Sequence, residues 1–262
     1  MVEPFLYERN HKKPSLPGRE NLPSMNSQTD SFLRLFATTA ALRGSGPDWI
    51  PKEQITGAIL AGGKGRRIGG RDKGLLQIDG KPLIGHIIDI VRPQVGSLLI
   101  NANRNIDTYR TFGHQVIPDM MGNFFGPLVG IASTMQHSDT PYLLSVPCDS
   151  PLVPADLCAR LYRALKAADA DISVAHDGTR LQPVFVLLRR ELLPDLLHYL
   201  DKGGRKIDTW YAEHRLVVTD FSDRPDAFLN INTSEELRAL EAAKHKARTN
   251  RTPPTVSPAT GG

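Results

Sequence analysis

The stretch Ile55–Gln77 reads ITGAILAGGKGRRIGGRDKGLLQ, and its interpretation decides the fold. It opens on a short apolar run, Ile55–Ala61, that reads as a fully buried strand. A glycine-rich, cationic run follows from Gly62 to Arg71, then Asp72, Lys73 and Gly74, before apolar character returns at Leu75. Such a loop directly after a strand suits phosphate binding. Glycines let backbone N–H groups approach an anion closely, and Lys and Arg supply charge. The competing reading, a solvated turn, is disfavoured by the apolar strand that feeds the loop.

Two familiar phosphate loops fail here. A Walker A loop needs Gly-Lys-Ser/Thr after its spacer; Gly65 and Gly70 have the spacing, but Arg71-Asp72 stand where Lys-Ser/Thr belongs, which excludes a P-loop GTPase. A dinucleotide fingerprint needs G-x-G-x-x-G at a helix start; from Gly63 the pattern gives Gly65 and then Ile68, and the loop runs on. What remains is L-A-G-G-x-x-x-R-x-G-G-x-D-K.

Outward from this stretch, strands and helices alternate. Strands are expected at 97–101, 115–118, 142–146, 171–176, 183–188 and 215–221. Helices are expected at 82–91, 107–112, 127–137, 154–166, 191–200, 206–213 and 234–247, with an extended run at 227–231. Thr233 and Glu236 have capping-box spacing ahead of the last helix. This alternation predicts one three-layer α/β/α, Rossmann-like domain with a mostly parallel central sheet, over residues 55–245. Residues 1–54 read as a disordered extension, with an amphipathic stretch at 31–42, or as upstream sequence; residues 246–262 read as a disordered tail.

In such sheets ligands bind at the carboxyl ends of the strands. That rule selects the Gly62 loop, Asn101, Asp119 and Asp149, each following an apolar run. Asp149 is the foremost metal candidate, since Mg²⁺ prefers carboxylate oxygen and takes few protein ligands beside substrate phosphates. A turn or cap role is its alternative. Lys73 and Arg67 suit a triphosphate, or else a solvated loop face. Asn101 and Asp119 stand where a base or ribose edge is read, or are turn and cap residues. Cys148 reads as a small buried residue rather than a nucleophile, for no histidine is near it in sequence.

Composition narrows the function classes. The 262 residues carry a net charge of +4, with 40% hydrophobic and 23% charged residues, ordinary for a globular protein. The cations are scattered, which argues against nucleic acid. The two cysteines have no metal spacing and point to a reducing cytoplasm rather than a disulfide scaffold. No apolar run approaches the ~18 residues of a membrane span.

The motif resembles the signature of the molybdenum cofactor guanylyltransferases, the MobA-type nucleotidyltransferases, through Leu60-Ala61-Gly62-Gly63, Arg67, Gly69-Gly70 and Asp72-Lys73-Gly74. Gly126-Pro127-Leu128-x-Gly130 and Asn230-x-Asn232-Thr233 match further segments of that family. Ile68 departs from the methionine usual there, and the extension is unmatched. The resemblance implies transfer of GMP from GTP to molybdenum-molybdopterin, with pyrophosphate released and Mg²⁺ as cofactor. It implies GTP binding by Leu60, Ala61, Gly62, Gly63, Lys73, Asn101, Asp119 and Asp149. It makes Lys73, Arg67 and Asp149 catalytic, with Asp149 on the metal. It places Gly126, Gly130, Asn230 and Asn232 on the molybdopterin side, and suggests a molybdenum insertase and molybdoenzyme chaperones as partners. The related molybdopterin cytidylyltransferases carry Ala-Ala-Gly where this chain has Ala61-Gly62-Gly63; the extra glycine makes room for a purine and favours guanine. A sugar-phosphate nucleotidyltransferase would share the chemistry, but its G-x-G-T-R loop is not matched. A non-catalytic nucleotide-binding module would not need Lys73, Arg67 and Asp149 together.

Overall fold

Strand β1 (Ile55–Leu60) is paired in parallel on both edges, with β4 (Ser97–Asn101) on one side and β6 (Tyr142–Pro147) on the other. That central position explains its uninterrupted apolar character, because its two faces are both covered. The structure is a computed structural model, and it describes residues 50–63, 72–122, 126–231 and 233–249. The extension and tail expected to be disordered fall mostly outside these residues; Ile50 is described, and it is buried in the main core.

The seven-stranded sheet runs β5-β4-β1-β6-β8-β7-β9, with β5 at Gln115–Ile117, β7 at Ile172–His176, β8 at Leu181–Arg189 and β9 at Leu216–Asp220. Every pairing is parallel except those of β8, which lies antiparallel between β6 and β7. β7 and β8 have no helix between them. They are joined by a short turn in which Asp177 accepts from the backbone N–H of Thr179 and Arg180, so the second strand must run back.

Helices cover both faces. Along β1 the pleat alternates: Gly57 faces Val91 of α1 (Leu83–Val91), whereas Leu60 reaches Gly130 of α3 (Pro127–Gln136). On the α1 side, Ile84, Ile87 and Val91 join Leu157, Leu161 and Leu165 of α4 (Leu157–Ala167) and Ile55 and Ile59 in one core. Each such fully buried side chain contributes about 1.5–3 kcal/mol. α2 (Ile106–Arg110) links β4 to β5, and α5 (Leu193–Asp201) and α6 (Ile207–Tyr211) precede β9.

Two features depart from the sequence reading. A small hairpin, β2 (Gln77–Ile78) with β3 (Lys81–Pro82), follows the glycine-rich loop. Its turn is Asp79-Gly80, both with positive φ (52° and 74°), the conformation that Asp-Gly adopts in two-residue hairpins. The run expected to be extended at 227–231 instead begins as a 3-10 turn, Pro225–Phe228. Pro225 starts that turn, and it swings Phe228 edge-on into Phe185 and Phe221.

The last helix, α7 (Ser234–Thr249), opens with a reciprocal capping box: Thr233 N–H donates to Glu236, and Glu236 N–H to Thr233 Oγ1. Its Leu237 and Leu240 pack on Ile78, Leu83 and Ile231, tying the hairpin to the C-terminal segment. Leu240→Ala is expected to lower unfolding free energy by about 1–2 kcal/mol, below the full-burial range because the leucine is only half-buried. Urea denaturation of the full chain measures it.

Candidate active site

The parallel register sets the strand ends level. Leu60 lies opposite Asn101 on one side and Pro147 on the other, and Asn101 opposite Ile117. The ladder continues one step beyond: Ala61 N–H donates to Asn101 O, and Cys148 N–H to Leu60 O. The Gly62 loop, Asn101, Asp119 and Asp149 therefore share one edge of the sheet.

On the β4–β5 side, Asn101 is 2% exposed, and its amide donates to Ile117 O at 3.1 Å and to Asp119 Oδ1 at 2.8 Å. Asn103 completes the clamp. Its Nδ2 donates to Asp119 Oδ2 at 2.7 Å, and Asp119 N–H donates to Asn103 Oδ1 at 2.8 Å. Asn103 was not singled out from sequence. The signal was its spacing, a second asparagine two residues past the strand end, where its side chain returns to the same side as that of Asn101. Both Asp119 oxygens thus receive an amide donor, which fixes the plane of the carboxylate. Asn101 Oδ1 points toward the Gly62 loop and α3: a Cβ would stand 3.2 Å from it on Gly62 and 2.5 Å on Gly130. Gly130 is therefore small because the backbone of α3 passes directly over the asparagine. The structure sets Gly130 beside Leu60 and Asn101, while Gly126, the cap of α3 at φ 93°, lies near Arg205 O.

On the β6 side, Asp149 Oδ2 accepts from Lys73 Nζ at 2.9 Å. The two side chains are 14% and 23% exposed, so the pair is shielded yet open to a ligand. Lys73 starts a 3-10 turn, Lys73–Leu75, capped by Asp72. Asp149 is held from behind: Ile231 N–H donates to its carbonyl at 2.8 Å, and Ser150 Oγ bonds Asn230 Oδ1. Asn230 is thus brought to the Asp149 loop. Arg67 and Asn232 lie outside the described residues. Gly63 is exposed at the rim. Cys148 is buried, and burial first, then the charge of Asp149, pushes its thiol well above the ordinary range. A neutral, covered thiol is a packing residue, as its sequence context suggested.

Among the described residues, Lys73 is the only side chain bonded to the Asp149 carboxylate, and no cluster of metal-ligating side chains occurs. One carboxylate beside a lysine fits a hard divalent cation that draws its remaining ligands from phosphates and water; it does not fit a structural metal cage.

The MobA-like NTP transferase domain family matches residues 57–216. The chain is 50% identical over 189 residues to the molybdenum cofactor guanylyltransferase of Shewanella piezotolerans, covering 72% of this chain and 93% of that protein. It is 51% identical over 189 residues to that of Shewanella sp. strain MR-4, covering 72% and 96%. The chain belongs to the MobA-like nucleotidyltransferase family. Solved structures share its fold at low identity. One is molybdopterin-guanine dinucleotide biosynthesis protein A of Archaeoglobus fulgidus, with TM-score 0.60 and 21% identity, covering 73% of this chain and 99% of that one. Another is a nucleotidyl transferase of Methanothermobacter thermautotrophicus, with TM-score 0.58 and 20% identity, covering 75% and 99%. Nucleotidyl transfer in this family is divalent-metal chemistry, which the lone Asp149 carboxylate suits. No described helix is long and apolar enough to cross a membrane.

In this MobA-like site the space over Asn101 is the constraint most open to test. Gly130→Ala would push a methyl group onto Asn101 Oδ1 and break its hold on Asp119. Unfolding free energy, read by urea denaturation, is expected to fall by ~1.5–3 kcal/mol, the cost of losing a bond to a charged group.

Proposed function

We propose that the chain transfers GMP from GTP to the terminal phosphate of molybdenum-bearing molybdopterin, forming the guanine dinucleotide cofactor and releasing pyrophosphate. One observation carries the reading: an amide-clamped carboxylate, Asp119, and a lysine–carboxylate pair, Lys73–Asp149, share one strand-end edge. A clamped carboxylate can accept the N–H donors of a guanine edge, which cytosine and adenine do not present in that pattern. Leu60, Ala61, Gly62, Gly63 and Asn101 form the floor on which the purine and ribose rest. The relatives' name supports the same nucleotide and acceptor.

The acceptor phosphate oxygen attacks the α-phosphorus of GTP in line. The new P–O bond forms as the bond to the β-phosphate oxygen breaks, and the electron pair leaves with pyrophosphate. No proton is removed, since the nucleophile is already anionic, so catalysis consists of positioning and charge neutralisation. Lys73 holds the triphosphate and offsets charge on the leaving group, with Arg67 in the same role. Asp149 would hold Mg²⁺, which when bound supplies further neutralisation of the phosphates. Asn230 and Asn232 stand with the acceptor, as do Gly126 and, at its border with the nucleotide, Gly130. Residues 55–245 form the catalytic unit between the extension (1–54) and the tail (246–262). The reading places the reaction in the cytoplasm, with a molybdenum insertase before it and molybdoenzyme chaperones after it.

Asp149→Asn keeps the shape and removes one negative charge. GMP transfer is expected to fall by about 10²–10³, while GTP binding without metal changes little. Full activity of this variant at limiting Mg²⁺ would sink the metal assignment. In a competition assay with molybdopterin, GTP is expected to be used at least about tenfold in preference to CTP, the size of one well-placed discriminating contact. Equal use of CTP would exclude the guanylyl reading.

A further inference from the structure

Lys73 carries a long side chain with costly rotamer freedom, so aiming its ammonium group requires a fixed backbone. The fixing contacts come from the residue before it. Asp72 has a side chain only 4% exposed. Its Oδ1 accepts from the Tyr109 hydroxyl at 2.6 Å and from Gly74 N–H at 3.3 Å. Its Oδ2 accepts from Asn105 Nδ2 at 3.0 Å, with Arg104 Nε at 3.5 Å. A buried carboxylate met on both oxygens, partly by a cation, is one whose position is fixed, because any other placement leaves it unpaired.

Except for Gly74, these partners lie at or near α2, between β4 and β5, whereas Asp149 ends β6 on the other side of β1. Tyr109 is wholly buried. Burial above all, then the neighbouring Cys148 and the bond to Asp72, raises its hydroxyl far beyond the usual range, so it remains a donor at any working pH. The turn itself is shaped to admit that hydroxyl, since a Cβ on Gly74 would stand 2.6 Å from Tyr109 Oη. Asp72 is too deeply covered to meet substrate, and its engagement accounts for no other function.

We infer that Tyr109, acting through Asp72, is a positioning residue that sets the Lys73 backbone so that its ammonium group meets both Asp149 and the triphosphate. Asn105 supports the same carboxylate from its exposed side. The inference rests on the triphosphate role of Lys73.

The test is Tyr109→Phe in the full chain, alone and combined with Lys73→Ala. GMP transfer, GTP affinity by calorimetry and thermal melting are measured together. Phenylalanine keeps the buried ring and removes only the donor. The single variant is expected to melt cooperatively above the assay temperature and to lose about tenfold in kcat, a loss typical of a misaligned catalytic group. In the Lys73→Ala background the same change is expected to cost less than about twofold, because both substitutions then act on one unit. Where turnover in that background is too low to follow, the same comparison is made on GTP affinity. An unchanged kcat in Tyr109→Phe, or a tenfold loss that persists in full without Lys73, overturns the inference, the second result marking a general structural role. If Lys73→Ala itself is fully active, the triphosphate reading fails and the inference with it, a result distinct from failure of Tyr109 alone. Should Tyr109→Phe not fold, Asn105→Gly takes its place under the same criteria. Asn105 sits at φ 50°, which glycine adopts without strain, so only the amide donor is lost.

Discussion

Parallel pairing of β1 with β4 and β6 is the constraint on which the site depends. Parallel strands must be joined by crossovers, so their carboxyl ends point the same way and their following loops collect on one edge. The register then decides how level that edge is. Leu60 opposite both Asn101 and Pro147 puts the first loop, the asparagine clamp and the Asp149 turn within reach of one nucleotide-sized ligand. Moving β4 by one residue would send Asn101 to the opposite face and empty the clamp.

Polar groups at this edge fall into two kinds, separated by how completely their bonding is met. Asp72 is buried and engaged on both oxygens, and Asn101 is almost fully covered. Asp72 has little capacity left for a ligand, and its contribution is geometric; the Asn101 amide N–H groups are spent on Ile117 and Asp119. Asp149 and Lys73 are partly exposed, and among the described residues Lys73 alone bonds to the Asp149 carboxylate. A partly shielded pair is worth more than a surface ion pair, yet its exposed atoms can still meet a charged ligand. Asp119 lies between these kinds: its plane is set by Asn101 and Asn103, while a carboxylate has lone pairs enough to accept further donors.

The C-terminal segment supplies a second link between distant parts of the chain. Ile231 bonds the Asp149 turn and also packs with Ile78, Leu83, Leu237 and Leu240. The hairpin after Lys73 and the loop carrying Asp149 are thereby braced against the same small core. A stability change in α7 therefore reaches both halves of the Lys73–Asp149 pair.

From the sequence by itself came the class of fold, the order of strands and helices, and the four strand ends that carry polar residues. These are local matters: apolar runs of strand length, a glycine-rich loop after one of them, Pro at helix starts and a capping box ahead of α7 are written in neighbouring residues. The Asp79-Gly80 hairpin is equally local, yet the sequence reading missed it, because the flanking strands are too short for any period to show. Tertiary structure alone decided the antiparallel place of β8, the turn at Pro225–Phe228 that seats Phe228 among other aromatics, the Asn103 clamp, and the closure of Tyr109 and Asn105 on Asp72. Each of these joins residues far apart in the chain or depends on which side a strand end presents. Such pairings are selected by the burial of a charge or a ring in three dimensions, and no pattern along the sequence records which partner will be there.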